Sequence, residues 1–168
     1  MTPLTVAGIK RLVPHRHPML LVDRVTELVP NERVTAWKAV TANEPWYAEL
    51  ADEAPDAAYA YPSVLLVESW CQAAGVLVTC EKPNPDVLGG QVMLFAGLSD
   101  AEFVRPVWPG DVVEHRVRLS RAVGDAVIFE GESVVGGEVV LRIERATMAM
   151  RPASELTGAE PAPGEPRK

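Results

Sequence analysis

Residues 62–82, PSVLLVESWCQAAGVLVTCEK, decide the reading of this chain. Pro62 suits a helix entry, no further proline interrupts the run before Pro83, and apolar side chains fall on nearly every face. A helix that is apolar all round must be surrounded by protein, so this segment is expected at the centre of the fold. Within it Glu68 and Gln72 stand one turn apart, with Val64 before them and Gly75 after, so both polar groups share one stripe of apolar surface. A carboxylate placed there is either satisfied by Gln72, a backbone amide or an arginine from the sheet, or is an acid or base whose pKa is raised by desolvation.

Working outward, residues 19–29 (MLLVDRVTELV) and 32–40 (ERVTAWKAV) combine apolar and β-branched side chains and read as two strands joined at Pro30-Asn31. Residues 48–61 (AELADEAPDAAYAY) carry four carboxylates and read as a surface loop with a helical turn. Beyond a break at 83–90, strands are expected at 91–98, 111–121, 126–135 and 138–150. In the second of these, Val113, Val117 and Leu119 alternate with Glu114, Arg116 and Arg118, the period of a strand with one wet face in an antiparallel sheet. His115 is assigned to that wet face. In the last run Leu141 and Ile143 share one parity while Ala146, Met148 and Met150 share the other, which predicts a bulge near Glu144-Arg145. The pattern as a whole predicts an α+β fold, a curved antiparallel sheet wrapped around one long central helix.

With 168 residues, 48% of them hydrophobic, the chain can bury one good core. The domain is expected to occupy residues 1–151, and the proline- and glutamate-rich tail 152–168 is expected to be disordered. A net charge of -7 argues against nucleic-acid binding, which draws on basic clusters and counterion release. No unbroken apolar run of bilayer-crossing length is evident and the N-terminal residues lack the apolar core of a secretory signal, so a cytoplasmic protein without membrane association is expected. Cys71 and Cys80 lie nine residues apart on one helix, roughly 13 Å at ~1.5 Å per residue, too far for a disulfide. Gly89-Gly90 and Gly136-Gly137 are turn pairs, with no phosphate-cradling loop. His15 and His17 form a His-x-His pair without further ligands at metal-site spacing, so a structural loop role and no metal are expected.

Five blocks then carry a resemblance: LVPHRHPMLLVDRV, TANEPW, YPSVLLVESWCQAAG, FAGLSDAEFVRPVWPGD and GGEVVLRIERATMAM. Across roughly residues 9–151 the chain resembles the FabZ-type 3-hydroxyacyl-[acyl-carrier-protein] dehydratases. The most specific pieces are Pro14-His15-Arg16 with Pro18 before Leu20-Leu21-Val22-Asp23-Arg24, Glu68 with Gln72-Ala73-Ala74-Gly75, and Arg105-Pro106-Val107 with Pro109-Gly110-Asp111. The resemblance implies a hotdog fold working as a dimer, with sites at the subunit interface and an acyl group carried on a phosphopantetheine arm. That arm belongs to the substrate carrier, so no cofactor of the protein's own is expected. It implies Glu68 and Gln72 as catalytic residues, and Pro62, Ser63, Val64, Phe95 and Gly97 as substrate-binding positions. In the family reaction a histidine from the opposite chain removes the C2 proton while the carboxylic acid protonates the departing hydroxyl. The N-terminus of the helix polarises the thioester carbonyl.

The chain departs from that family at the histidine. Counting forward from Glu44 puts the position at Leu50, counting back from Glu68 puts it at Ala54, and no histidine stands between His17 and His115. The glycine that normally follows the helix-opening proline is Ser63. The expectation is therefore a dehydratase-type subunit for fatty-acid or polyketide synthesis that acts on an acyl carrier protein or acyl-CoA thioester. Glu68 would contribute to a site completed by a histidine-bearing paralogue in a heterodimer. The alternatives are a homodimeric thioesterase or isomerase using Glu68 alone, and a non-catalytic acyl-binding subunit. Tyr59, Tyr61, Asp52 and Glu53 of the lengthened loop stand near the missing position, and the two carboxylates are expected at the surface.

Overall fold

The computed structural model describes residues 3–87, 91–153 and 155. The element order is β1 (Leu4–Thr5), α1 (Val6–Leu12), β2 (Arg24–Val29), β3 (Arg33–Ala39), α2 (Ser63–Thr79), β4 (Gln91–Phe103), β5 (Val112–Val123), β6 (Ala126–Val135) and β7 (Glu138–Pro152), with short 3-10 turns at Pro45–Tyr47 and Asp56–Tyr59. The expected tail lies outside the described residues beyond its first positions.

The strands form one antiparallel sheet in the order β1-β2-β3-β5-β6-β7-β4. Its concave face closes on α2, whose Leu66, Trp70, Ala73, Ala74, Val76 and Leu77 pack among Leu28, Val113, Phe129, Leu141, Ile143 and Met148. Each large apolar side chain buried this way contributes roughly 1.5–3 kcal/mol, and Trp70 and Phe129 are fully enclosed. By length and composition the stretch Asp56–Thr79 does satisfy the requirements of a membrane span, contrary to expectation, yet most of its apolar window is buried inside the protein. The sheet supplies the environment that a bilayer would otherwise provide.

The β2–β3 turn forms where Pro30-Asn31 predicts it, with Asn31 in the left-handed region (φ 59°). The bulge near Glu144-Arg145 is present: β6–β7 pairing slips between Phe129 and Gly131, so Ile143 and Ala146 both face the core. At Gly131 the φ of +155° and a backbone carbonyl, Arg116 O, only 2.0 Å from where a Cβ would stand exclude any side chain.

Two strand assignments change. β2 begins at Arg24 instead of residue 19, and β4 runs on to Phe103 alongside the long β7. The short α1 and β1 were not evident in the pattern. His115 is corrected from the wet face to the core: it shares the parity of Val113 and Val117 and is fully buried. Its Nδ1 lies 2.8 Å from Ser133 Oγ and its Nε2 2.8 Å from Ser69 Oγ, so one imidazole ties α2 to β6. Burial, and secondarily the nearby Lys38 ammonium, hold its pKa down at about 3.

Candidate active site

Glu68 and Gln72 project from one face of α2, as their spacing predicts, but they differ in burial. Gln72 is almost wholly enclosed (1% exposed), whereas the Glu68 side chain retains 37% of its exposure in the single chain. The carboxylate is thus half-open rather than buried. Gln72 acts as a three-way tie: its Nε2 donates to Glu68 Oε1 (2.8 Å) and to Met19 O (2.7 Å), and its Oε1 accepts from Leu21 N–H (2.9 Å). The amide therefore fixes the carboxylate to the helix and pins the 15–21 loop against it.

That loop brings His15 to the site. Its Nε2 lies 3.4 Å from Glu68 Oε1, and its side chain is 27% exposed. The His15 pKa is lowered because burial disfavours the cation; Glu68 opposes that effect and Arg16 adds to it. Arg16 secures the turn by donating to the carbonyls of Val13 (2.9 Å), His15 (2.7 Å) and Lys10 (3.1 Å). Of the His-x-His pair expected to have a structural loop role, His15 stands beside Glu68, while His17 stays at the surface. A spatial neighbour across 53 residues leaves no mark in local spacing, although the buried Gln72 demanded partners from somewhere in the chain.

Glu68, His15 and Gln72 stand at the wall of a cavity of about 280 Å³ between α2 and β4. Its apolar lining includes Val13, Val92, Met93, Phe95 and Met148, and it extends along α2 as far as Thr79. From Glu68 to Thr79 the helix advances roughly 16 Å at ~1.5 Å per residue, so the cavity is elongated along α2, with Thr79 and Asn84 as further polar lining. Cys71 also lines it, but burial, with the Glu68 charge second, pushes the thiol up to about 12, so it stays protonated.

Of the positions assigned to substrate binding, Phe95 lines this cavity and is 53% exposed on the outermost strand. Gly97 follows a bulge in β4 and has open space where a Cβ would be. Pro62 is the N-cap of α2 and Ser63 its first residue, with no side-chain capping bond. Pro62 and Ser63 border a separate depression with Phe103, Val104 and Arg105, and Val64 is 71% exposed. Within a single chain the helix N-terminus and the Glu68 cavity are therefore distinct places on the surface.

None of residues 48–61 lines the Glu68 cavity. Asp52 and Glu53 are exposed, while Tyr61 and Tyr47 are drawn into the core, where Trp46 packs edge-on against both rings. Burial raises the Tyr61 pKa far above its ordinary value. Beside it Lys38 and Glu44 form an ion pair that is nearly shielded from solvent. The loop is better anchored than its composition suggests, and it is anchored away from Glu68 of its own chain. Among the described residues no group of three or more metal-ligating side chains converges.

Residues 13–144 match the FabA-like domain model. The chain belongs to the FabA-like domain family. It is 40% identical over 141 residues, covering 84% of this chain and 87% of the relative, to the 3-hydroxyacyl-[acyl-carrier-protein] dehydratase FabZ of Anaeromyxobacter sp. (strain K). It is 39% identical over 140 residues to the FabZ of Cereibacter sphaeroides, covering 83% and 86%. Among solved structures it is similar to the dehydratase heterocomplex ApeI:P from Xenorhabdus doucetiae, with a TM-score of 0.72, 18% identity and coverage of 89% and 95%. A hot-dog-like protein from Thermanaerovibrio acidaminovorans gives 0.59 at 14% identity, covering 78% and 89%. The FabA-like fold of this chain is accordingly a hotdog, its seven-stranded sheet wrapped around α2.

Proposed function

We propose that this chain is a dehydratase-type subunit of fatty-acid or polyketide synthesis, acting on a 3-hydroxyacyl thioester carried by an acyl carrier protein or coenzyme A. The observation that carries the reading is Glu68, hydrogen-bonded by Gln72 on the wall of a largely apolar cavity, within a chain that belongs to the FabA-like family. Protonated Glu68 gives its proton to the C3 hydroxyl, which leaves as water with the C3–O electron pair. The C2–H electrons become the new C2=C3 bond, and the C2 proton passes to a base. The cavity takes the acyl tail, with Phe95 at its rim.

A histidine-bearing hotdog partner supplies that base across the interface. The loop position that would carry it is Leu50 or Ala54 here, and neither lines the cavity. The outer edge of β4, with Phe95 and Phe103 exposed, offers an unpaired strand edge and apolar surface for such a partner. Pairing there would place Pro62, Ser63 and Val64 at the shared interface, where free N–H groups of the helix can meet the thioester carbonyl. Support for a mixed pair comes from the similar dehydratase heterocomplex ApeI:P. On this reading the protein works in the cytoplasm and has no cofactor of its own.

Mass-spectrometric dehydration of a 3-hydroxyacyl carrier protein tests the proposal, using this chain alone and mixed with a histidine-containing hotdog paralogue from the same source. Turnover by the mixture alone is expected. Full turnover by the isolated chain would eliminate the split site, and hydrolysis of the thioester in place of dehydration would favour a thioesterase.

A further inference from the structure

We propose that His15 is a positioning residue for Glu68, so that the dehydrating carboxyl group is held from two sides, by Gln72 from its own helix and by an imidazole from the 13–18 turn. The inference rests on the reading of Glu68 given above and adds to it a residue outside the family's two-group chemistry.

Three observations carry it. First, Gln72 Nε2 and His15 Nε2 converge on one oxygen, Oε1, at 2.8 and 3.4 Å. Among the described residues no protein hydrogen bond engages Oε2, which leaves that oxygen to meet the departing hydroxyl. Second, the turn is constructed to present the imidazole: Arg16 bonds three carbonyls around it, and Gln72 ties down Met19 and Leu21 just beyond. A turn whose backbone is fixed this firmly keeps the His15 ring beside a half-open carboxylate. Third, His15 Nδ1 is buried without a hydrogen-bond partner. An imidazole carrying its hydrogen on Nε2 leaves an unpaired acceptor at Nδ1 and places its one N–H on the nitrogen nearest Glu68; the opposite tautomer would strand a buried donor.

The distance also limits the role. With 3.4 Å between His15 Nε2 and Glu68 Oε1, a substrate carbon cannot lie between the two groups, so His15 does not replace the family base acting on the far side of the substrate. Its effect passes through Glu68. The groups facing it are Glu68 and Cys71 from α2 and Arg16 from its own turn, while β4 presents Val92, Met93 and Phe95.

The test combines kinetics with a readout independent of turnover. In the assembly that dehydrates, His15→Ala is expected to lower kcat by about ten- to a hundredfold, the scale of a displaced catalytic group, with KM changed little. His15→Gln, which can return an N–H near the Nε2 position, is expected to recover most of that loss. In parallel, NMR titration of the His15 ring in the complete chain should show a lower pKa in Glu68→Gln than in the wild type, because the Glu68 charge favours the imidazolium. Unchanged kcat in His15→Ala, equal loss in the alanine and glutamine variants, or a His15 titration indifferent to Glu68→Gln would each overturn the proposal. If no assembly dehydrates, the functional reading fails, and the NMR comparison still decides whether His15 and Glu68 are coupled.

Discussion

His115 makes the protein acid-sensitive in a way that can be calculated. The imidazole is fully buried between Ser69 and Ser133, and its pKa falls from the ordinary 6.5 to about 3. A base whose folded-state pKa is lowered stays unprotonated in the native protein while the unfolded chain takes up a proton. Its stabilising contribution is therefore complete above pH 6.5 and is lost as pH falls toward about 3. At ~1.4 kcal/mol for each pH unit the whole interval is worth on the order of 5 kcal/mol, a large part of a typical ~5–15 kcal/mol stability. Between pH 6.5 and 4.5 the loss is expected to be about 2–3 kcal/mol. The perturbation is His115→Asn, and the assay is urea unfolding from pH 7.5 to 4.5. The variant should be less stable throughout, because a serine hydroxyl loses its partner and a void opens, but its stability should fall less steeply with acid by ~1 kcal/mol or more per pH unit. Carboxylates and the other histidines titrate in both proteins and cancel in the comparison. Parallel pH curves would refute the reasoning.

Other consequences follow from the same contacts. Gln72→Leu strands the Leu21 N–H and Met19 carbonyl and should cost about 2–4 kcal/mol in urea unfolding, with kcat lowered further because Glu68 loses its tie. Gly75→Ala would bring a Cβ within 2.8 Å of Met93 Cε, the flexible end of a cavity-lining side chain; stability should change by no more than about 1 kcal/mol, while kcat/KM shifts toward shorter acyl chains and Met93→Ala shifts it toward longer ones. Gly131→Ala should destabilise by roughly 3 kcal/mol or more, measured by thermal or urea unfolding, since the β5 backbone has no room to yield.

The parts of this fold legible in sequence were those governed by local period. The apolar run around Glu68 announced a core helix, Pro30-Asn31 a turn, and the parity change after Ile143 a bulge, because each depends on side-chain direction along one element. The same period could have placed His115, whose position matches Val113 and Val117; its chemical type argued for water, and two serines from distant elements decided otherwise. Residues 19–23 have strand composition but do not join a strand as expected, since Met19 O and Leu21 N are bonded to the Gln72 side chain. Glu68 with Gln72 was readable from one-turn spacing. His15 was not, because the turn reaches α2 through tertiary bonds that span more than fifty residues. The N-terminal α1 is only seven residues long and is held by burial of Ile9 against the core, leaving too little pattern to read.

The most direct test of the central claim is Glu68→Gln in the reconstituted pair, with the 3-hydroxyacyl carrier protein followed by mass spectrometry for the loss of water. The account predicts at least a ~100-fold fall in the dehydration rate, the scale of removing a positioned acid, with the pair still assembled. Dehydration at the wild-type rate by an intact pair carrying Glu68→Gln would contradict it.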